Sequence, residues 1–179
     1  MTEIKTKAEL ISTLKDSRQR ILDWFTTIPA KDFFTRQGEE WSPSDNVDHL
    51  IRAHKPITMA LKLSRFVLQL IFGKANRPSK SYETLCEKYV EALLNGGRAG
   101  GTFLPTQESP QENADERKKK ILAQLSKESA KLISAAEAWD ETTLDKYILP
   151  HPLIGKLTMR EMLYFTIYHN LRHASLEGD

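Results

Sequence analysis

Apolar residues recur every three to four positions through most of this chain, the period of a helix that turns one face inward. Leu10, Leu14, Ile21 and Phe25 mark such a stripe over 6–27. Ile121, Leu125, Leu132 and Ile133 mark another over 110–138. Similar runs predict helices over 43–71, 81–95 and 158–176. No stretch alternates apolar and polar residues convincingly, so no strand is expected. No unit of fixed length repeats.

The expected helix starts share one chemistry. A capping box sets Ser or Thr at the N-cap and an acid or Gln three residues on, so that orphan amides are satisfied reciprocally. Thr6 with Glu9, Ser42 with Asp45, Ser109 with Glu112 and Thr158 with Glu161 fit that spacing. Pro43 and Pro110 occupy the favoured first helical position. Leu157 and Met162 suit a hydrophobic staple around the last start. These signals predict an all-α fold, a four-helix bundle with one long crossover, as a single domain over 1–179.

Two stretches read as loops. Residues 95–105, NGGRAGGTFLP, hold four of the chain's 8 glycines. They lack the GxxxxGK[ST] pattern and follow no predicted strand, so a crossover connection fits better than a phosphate cradle. Residues 139–157 include LPHPLIGKL, where Pro150 and Pro152 forbid a continuous helix.

Composition adds constraints. Charged residues are 28% of the chain, but the net charge is only +2. Basic and acidic residues are interleaved, which argues against nucleic acid as a partner. The lone Cys86 rules out a disulfide within the chain and fits a reducing compartment. The opening MTEIKTKAELIS has no apolar core, and the apolar-rich stretch 57–72 is interrupted by Lys62 and Arg65. Neither a signal peptide nor a membrane span is expected, and a cytoplasmic location follows.

Five histidines carry the candidate chemistry: His49, His54, His151, His169 and His173. His169 and His173 stand one turn apart on the same helix face, in line with Met162 and Phe165. Two inward imidazoles are costly unless hydrogen-bonded or bound to metal. The competing reading is a pair at a helix C-terminus, where the dipole favours positive charge. His49 is the candidate third ligand. His54 lies about 140° further around the same helix and is expected at solvent or an interface. His151 is expected to cap a turn, or to approach the site as a substrate contact. Trp41 is expected to pack at the helix start. Tyr164 and Tyr168 are expected to face away, toward the surface or a dimer contact. Asp48, beside His49, points elsewhere on its helix, so no general base is evident.

Three segments carry a resemblance: WSPSDNVDHL at 41–50, HPLIGKLTMREML at 151–163 and HNLRH at 169–173. In that order and spacing the chain resembles the DinB-like (YfiT-like, damage-inducible) superfamily of metal-binding helical bundles. The resemblance implies an up-down-down-up four-helix bundle. It implies a divalent ion, zinc or nickel and in some members iron, held by His49, His169 and His173. It also implies a homodimer. The helix at 81–95 and the glycine loop look like an elaboration of the crossover, and the chain ends soon after His173, where the family's last helix usually runs on.

Three histidines leave an open coordination position, a pattern of catalytic rather than structural zinc sites. Some members of the resembling family transfer low-molecular-weight thiols to electrophiles. The expectation by analogy is a metal-dependent thiol S-transferase acting on small electrophiles in stress or detoxification. Two alternatives stand beside it: a non-catalytic metal- or ligand-binding stress protein, and a small metal-dependent hydrolase.

Overall fold

The computed structural model describes residues 4–109 and 112–176. Helices dominate them: α1 (Lys7–Thr27), α2 (Ala30–Phe33), α3 (Pro43–Lys62), α4 (Arg65–Phe72), α5 (Tyr82–Leu94), α6 (Ala114–Glu137), α7 (Glu141–Leu144) and α8 (Met159–His173). A 3-10 turn, Gly101–Phe103, lies in the glycine-rich loop.

Three of the four expected capping boxes form. Thr6, Ser42 and Thr158 each accept a hydrogen bond from the backbone three residues on, and Glu9, Asp45 and Glu161 return it. The fourth start is corrected. Helix α6 begins at Ala114, behind Asn113 in the left-handed region (φ 58°), with no side-chain cap. Asparagine tolerates that conformation better than most residues. Pro110 and Gln111 of the expected box lie outside the described residues. Glu108 is drawn back instead to Arg117 on α6.

The expected helix over 43–71 is two helices. Pro56 is accommodated within α3, but the chain turns extended at Leu63 and Ser64. The Ser64 hydroxyl accepts from the Val67 amide at 3.3 Å and restarts the helix as α4.

The loop expected over 139–157 holds a hairpin, which corrects the strand-free reading. Strands β1 (Ile148–His151) and β2 (Gly155–Thr158) pair antiparallel, with His151 opposite Gly155. Each strand has four residues, too few for alternation to emerge from the sequence. Pro150 is tolerated because both strands of a two-stranded sheet are edges. The hairpin packs on α4 and α8. The Ala75 amide also donates to the Lys146 carbonyl at 2.9 Å.

The four long helices pack in a ring: α3 on α6, α6 on α1, α1 on α8, and α8 on α3. One apolar cluster joins Leu10, Leu14, Leu132, Leu163 and Ile167; the other joins Ile21, Phe25, Val47, Leu50 and Leu125. Helix α8 is the inner member, with apolar, histidine and asparagine side chains buried around most of its circumference. Tyr164, expected at the surface, is buried, and its hydroxyl donates to the Ile4 carbonyl at 2.8 Å. Tyr168 is half-buried and packs edge-on against Tyr89. No described helix is long and apolar enough to cross a membrane.

Candidate metal centre

His49, on α3, and His169 and His173, one turn apart on α8, converge. One ligating nitrogen from each lies within 4.8 Å of the others. His169 stands in the middle: its Nε2 is 3.0 Å from His49 Nε2 and 3.1 Å from His173 Nε2. His49 and His169 are buried and His173 is half-buried.

Their partners decide which nitrogens carry protons. His49 Nδ1 donates to the Phe103 carbonyl at 2.7 Å. A carbonyl only accepts, so the proton sits on Nδ1 and His49 Nε2 is a lone pair. His173 Nδ1 donates to Asn46 Oδ1 at 2.6 Å. The Asn46 amide is oriented for this, because its Nδ2 donates to the Ser42 carbonyl at 3.1 Å. His173 Nε2 is therefore also a lone pair. One proton, on His169 Nε2, is all the neutral cluster can place among three converging nitrogens. Such an arrangement is strained alone and complementary to a cation, and a hydrogen-bonded distal nitrogen is the usual support of a histidine ligand.

Burial sets the charge state. It holds His49 below its ordinary range, against the opposing pull of the Phe103 carbonyl. Burial, then the neighbouring imidazoles His173 and His49, push His169 far down. Burial takes His173 to about 3. All three are neutral at pH 7, the form that ligates metal.

Aromatic rings wall the cluster. Trp41 packs 5.0 Å from the His49 ring centroid and stacks on His173 at 6.0 Å, so it braces both imidazoles as well as packing at the helix start. Phe165 stacks on His169 at 4.7 Å. A cavity of 670 Å³ opens beside the cluster, between α3, α8, the hairpin and the loop at 98–103. His49, His169 and His151 are in its wall, with Ile57, Phe72 and Met162 among the apolar remainder. No Asp or Glu among the described residues lines it.

The other candidates separate from the cluster. Asp48 accepts from Arg52 and from the Thr106 amide, away from the imidazoles, as expected. His151 caps its turn, as expected, and also reaches the cavity. His54 corrects its expectation: it is 1% exposed, and its Nε2 donates to Asn170 Oδ1 at 2.9 Å. Its Nδ1 lies 3.2 Å from the Ser129 hydroxyl. The sequence reading missed Asn46 and Phe103. Asn46 stands three residues before His49, on the same helix face, a spacing that could have flagged it. The Phe103 carbonyl carried no signal, because a backbone oxygen is the same in every residue.

Burial lowers His54 to about 4, from an ordinary 6.5. The unfolded chain therefore binds a proton that the folded chain refuses as pH falls from about 6.5 to about 4. Stability is lost over that window, by about 3 kcal/mol from this residue. His54→Gln, which keeps a donor and an acceptor, is expected to flatten the acid slope by a comparable amount. Urea midpoints at pH 7 and pH 4.5 in chelator check this; equal slopes in both proteins contradict it.

A family model described as the DinB superfamily matches residues 13–176. No curated protein and no solved structure gives a significant match.

Proposed function

This chain belongs to the DinB superfamily, and we propose that His49, His169 and His173 hold one divalent ion, zinc or nickel, with which the protein transfers a low-molecular-weight thiol to a small electrophile. The observation that carries the reading is the convergence of three Nε2 atoms, two of them lone pairs by their hydrogen bonds, beside an apolar cavity that His49 and His169 line. The donor set fits such an ion: three neutral imidazoles, and no fourth ligating side chain in the cluster among the described residues.

The packing of α1, α3, α6 and α8 supports an up-down-down-up four-helix bundle, with 63–113 as a crossover that carries α4 and α5. Two ligands come from one inner helix and one from its neighbour. Their rings are braced by Trp41, Phe165, Asn46 and the Phe103 carbonyl. The cavity holds the electrophile out of water.

When bound, the ion supplies positive charge that favours the thiolate form of a thiol at neutral pH. The thiolate sulfur forms a bond to the electrophilic atom as a leaving group departs or a double bond takes up the electron pair, and the thiol proton goes to solvent. Cys86 is not that thiol. Burial pushes it up to about 11, and it lies outside the cluster. The hydrolytic alternative is less well served, since among the described residues no carboxylate lines the cavity to take a proton from water.

The test is elemental analysis of untagged protein beside His49→Ala and His173→Ala. We expect about one zinc or nickel per chain in the wild type and loss in both variants. A wild type that takes up neither metal on titration overturns the reading. Metal-loaded protein is then expected to speed thiol addition to an electrophile such as 1-chloro-2,4-dinitrobenzene, and both variants to fall to background.

A further inference from the structure

We propose that His151 is the hydrogen-bond donor that orients the ligand of the cavity, and that this ligand is an apolar molecule carrying an oxygen acceptor. The inference rests on reading the cavity beside the three histidines as the substrate site.

The hairpin dictates the tautomer of His151. The backbone amides of Leu153 and Ile154 both donate to His151 Nδ1, at 3.2 and 3.3 Å. An amide N–H only donates, so Nδ1 must be a lone pair and the ring proton must sit on Nε2. A second proton would set an N–H against two others. Burial acts in the same direction and lowers His151 to about 4. The residue is therefore a neutral imidazole with a fixed Nε2–H donor.

That donor meets no acceptor among the described residues. The ring cannot turn elsewhere to find one. Phe165 packs against it at 4.3 Å and Tyr89 edge-on at 6.0 Å. Its Cα is held by pairing with Gly155, a glycine at φ 81° where the strand re-enters the hairpin. The sequence H-P-L-I-G thus builds a turn that takes one nitrogen of the histidine and presents the other.

The imidazole lies in the cavity wall with His49 and His169. Most of the other lining side chains offer carbon, so a ligand must be largely apolar to be held there. A polar ligand atom that meets a fixed, otherwise unmatched donor gains, and a ligand without one leaves the donor unpaired. An aryl or alkyl carbonyl compound has this chemistry. For the proposed transfer, the acceptor oxygen would be the one that activates the adjacent carbon.

Two probes of like shape test this on the full-length protein by calorimetry: 2-acetonaphthone, with a carbonyl, and 2-ethylnaphthalene, without. Chelator-treated protein is used so that the carbonyl has no metal to bind. The wild type is expected to bind the ketone about tenfold more tightly. His151→Phe is expected to bind both equally. His151→Asn, which keeps a turn acceptor and a donor, is expected to recover part of the preference. A ketone preference intact in His151→Phe overturns the proposal, as does failure of the wild type to bind either probe. Histidine nitrogen NMR of the wild type requires no variant: a proton on His151 Nδ1 rather than Nε2 also overturns it. Zinc uptake unchanged in the variants keeps this result separate from the metal reading.

Discussion

Glu161→Ala is expected to lower the unfolding free energy by about 3 kcal/mol, the low end of the cost of breaking a buried ion pair. The sequence marks Glu161 as a helix cap, and the structure gives it much more to hold. Its side chain is 0% exposed. Arg77 donates to both carboxylate oxygens, at 2.6 and 2.8 Å. The amides of Lys80 and Thr158 donate at 2.7 and 2.9 Å. One carboxylate thereby fixes the start of α8, the end of β2 and the segment leading into α5. Burial alone would raise its pKa, but Arg77 and the two amides hold it below the ordinary carboxylate range. Its contribution is therefore complete at neutral pH and is lost as pH falls through that depressed value. Arg77 is partly exposed and regains water when Glu161 is removed, which is why the low end applies. A loss of about 3 kcal/mol is a large share of a typical domain's stability. Urea unfolding measures it; an unchanged midpoint would show that the network contributes nothing net.

His169→Ala is expected to abolish stabilisation by zinc. An ion that binds only the folded protein stabilises it by about 2.7 kcal/mol when its free concentration is a hundred times Kd. The wild type should melt correspondingly higher in zinc than in chelator. His169 is the decisive position because its Nε2 approaches the Nε2 atoms of both His49 and His173, so its loss leaves them without the centre of the set. In chelator the variant loses packing against Phe165 but also the crowding of three nitrogens that share one proton. Scanning calorimetry of both proteins, with and without zinc, checks this. Equal zinc shifts in the two would mean that the ion binds elsewhere.

Local chemistry was readable where it is local in sequence. The boxes at Thr6, Ser42 and Thr158 form because cap and acid are only three residues apart. His169 and His173 share a face because helix geometry alone puts them there. Short features with weak periodicity were not readable. The Ser64 restart, the hairpin and the start of α6 each involve a few residues, and their stability comes from neighbours distant in the chain. His54 and Tyr164 were expected at the surface, because a polar residue's partner across the fold is invisible in the sequence. Asn170 and the Ile4 carbonyl are those partners.

The sequence by itself determined the helical character, three helix starts and the shared face of His169 and His173, since each depends on contacts within a turn or two. His49 joined that pair through a family resemblance, as no spacing rule spans 120 residues. The tertiary structure alone decided that the three imidazoles meet, that Asn46 and the Phe103 carbonyl set two of their protons, and that His49 and His169 face an apolar cavity beside His151. Those properties arise from packing α3, α8, the hairpin and the glycine-rich loop around one space, and burial there sets charge and tautomer in ways that no single segment encodes.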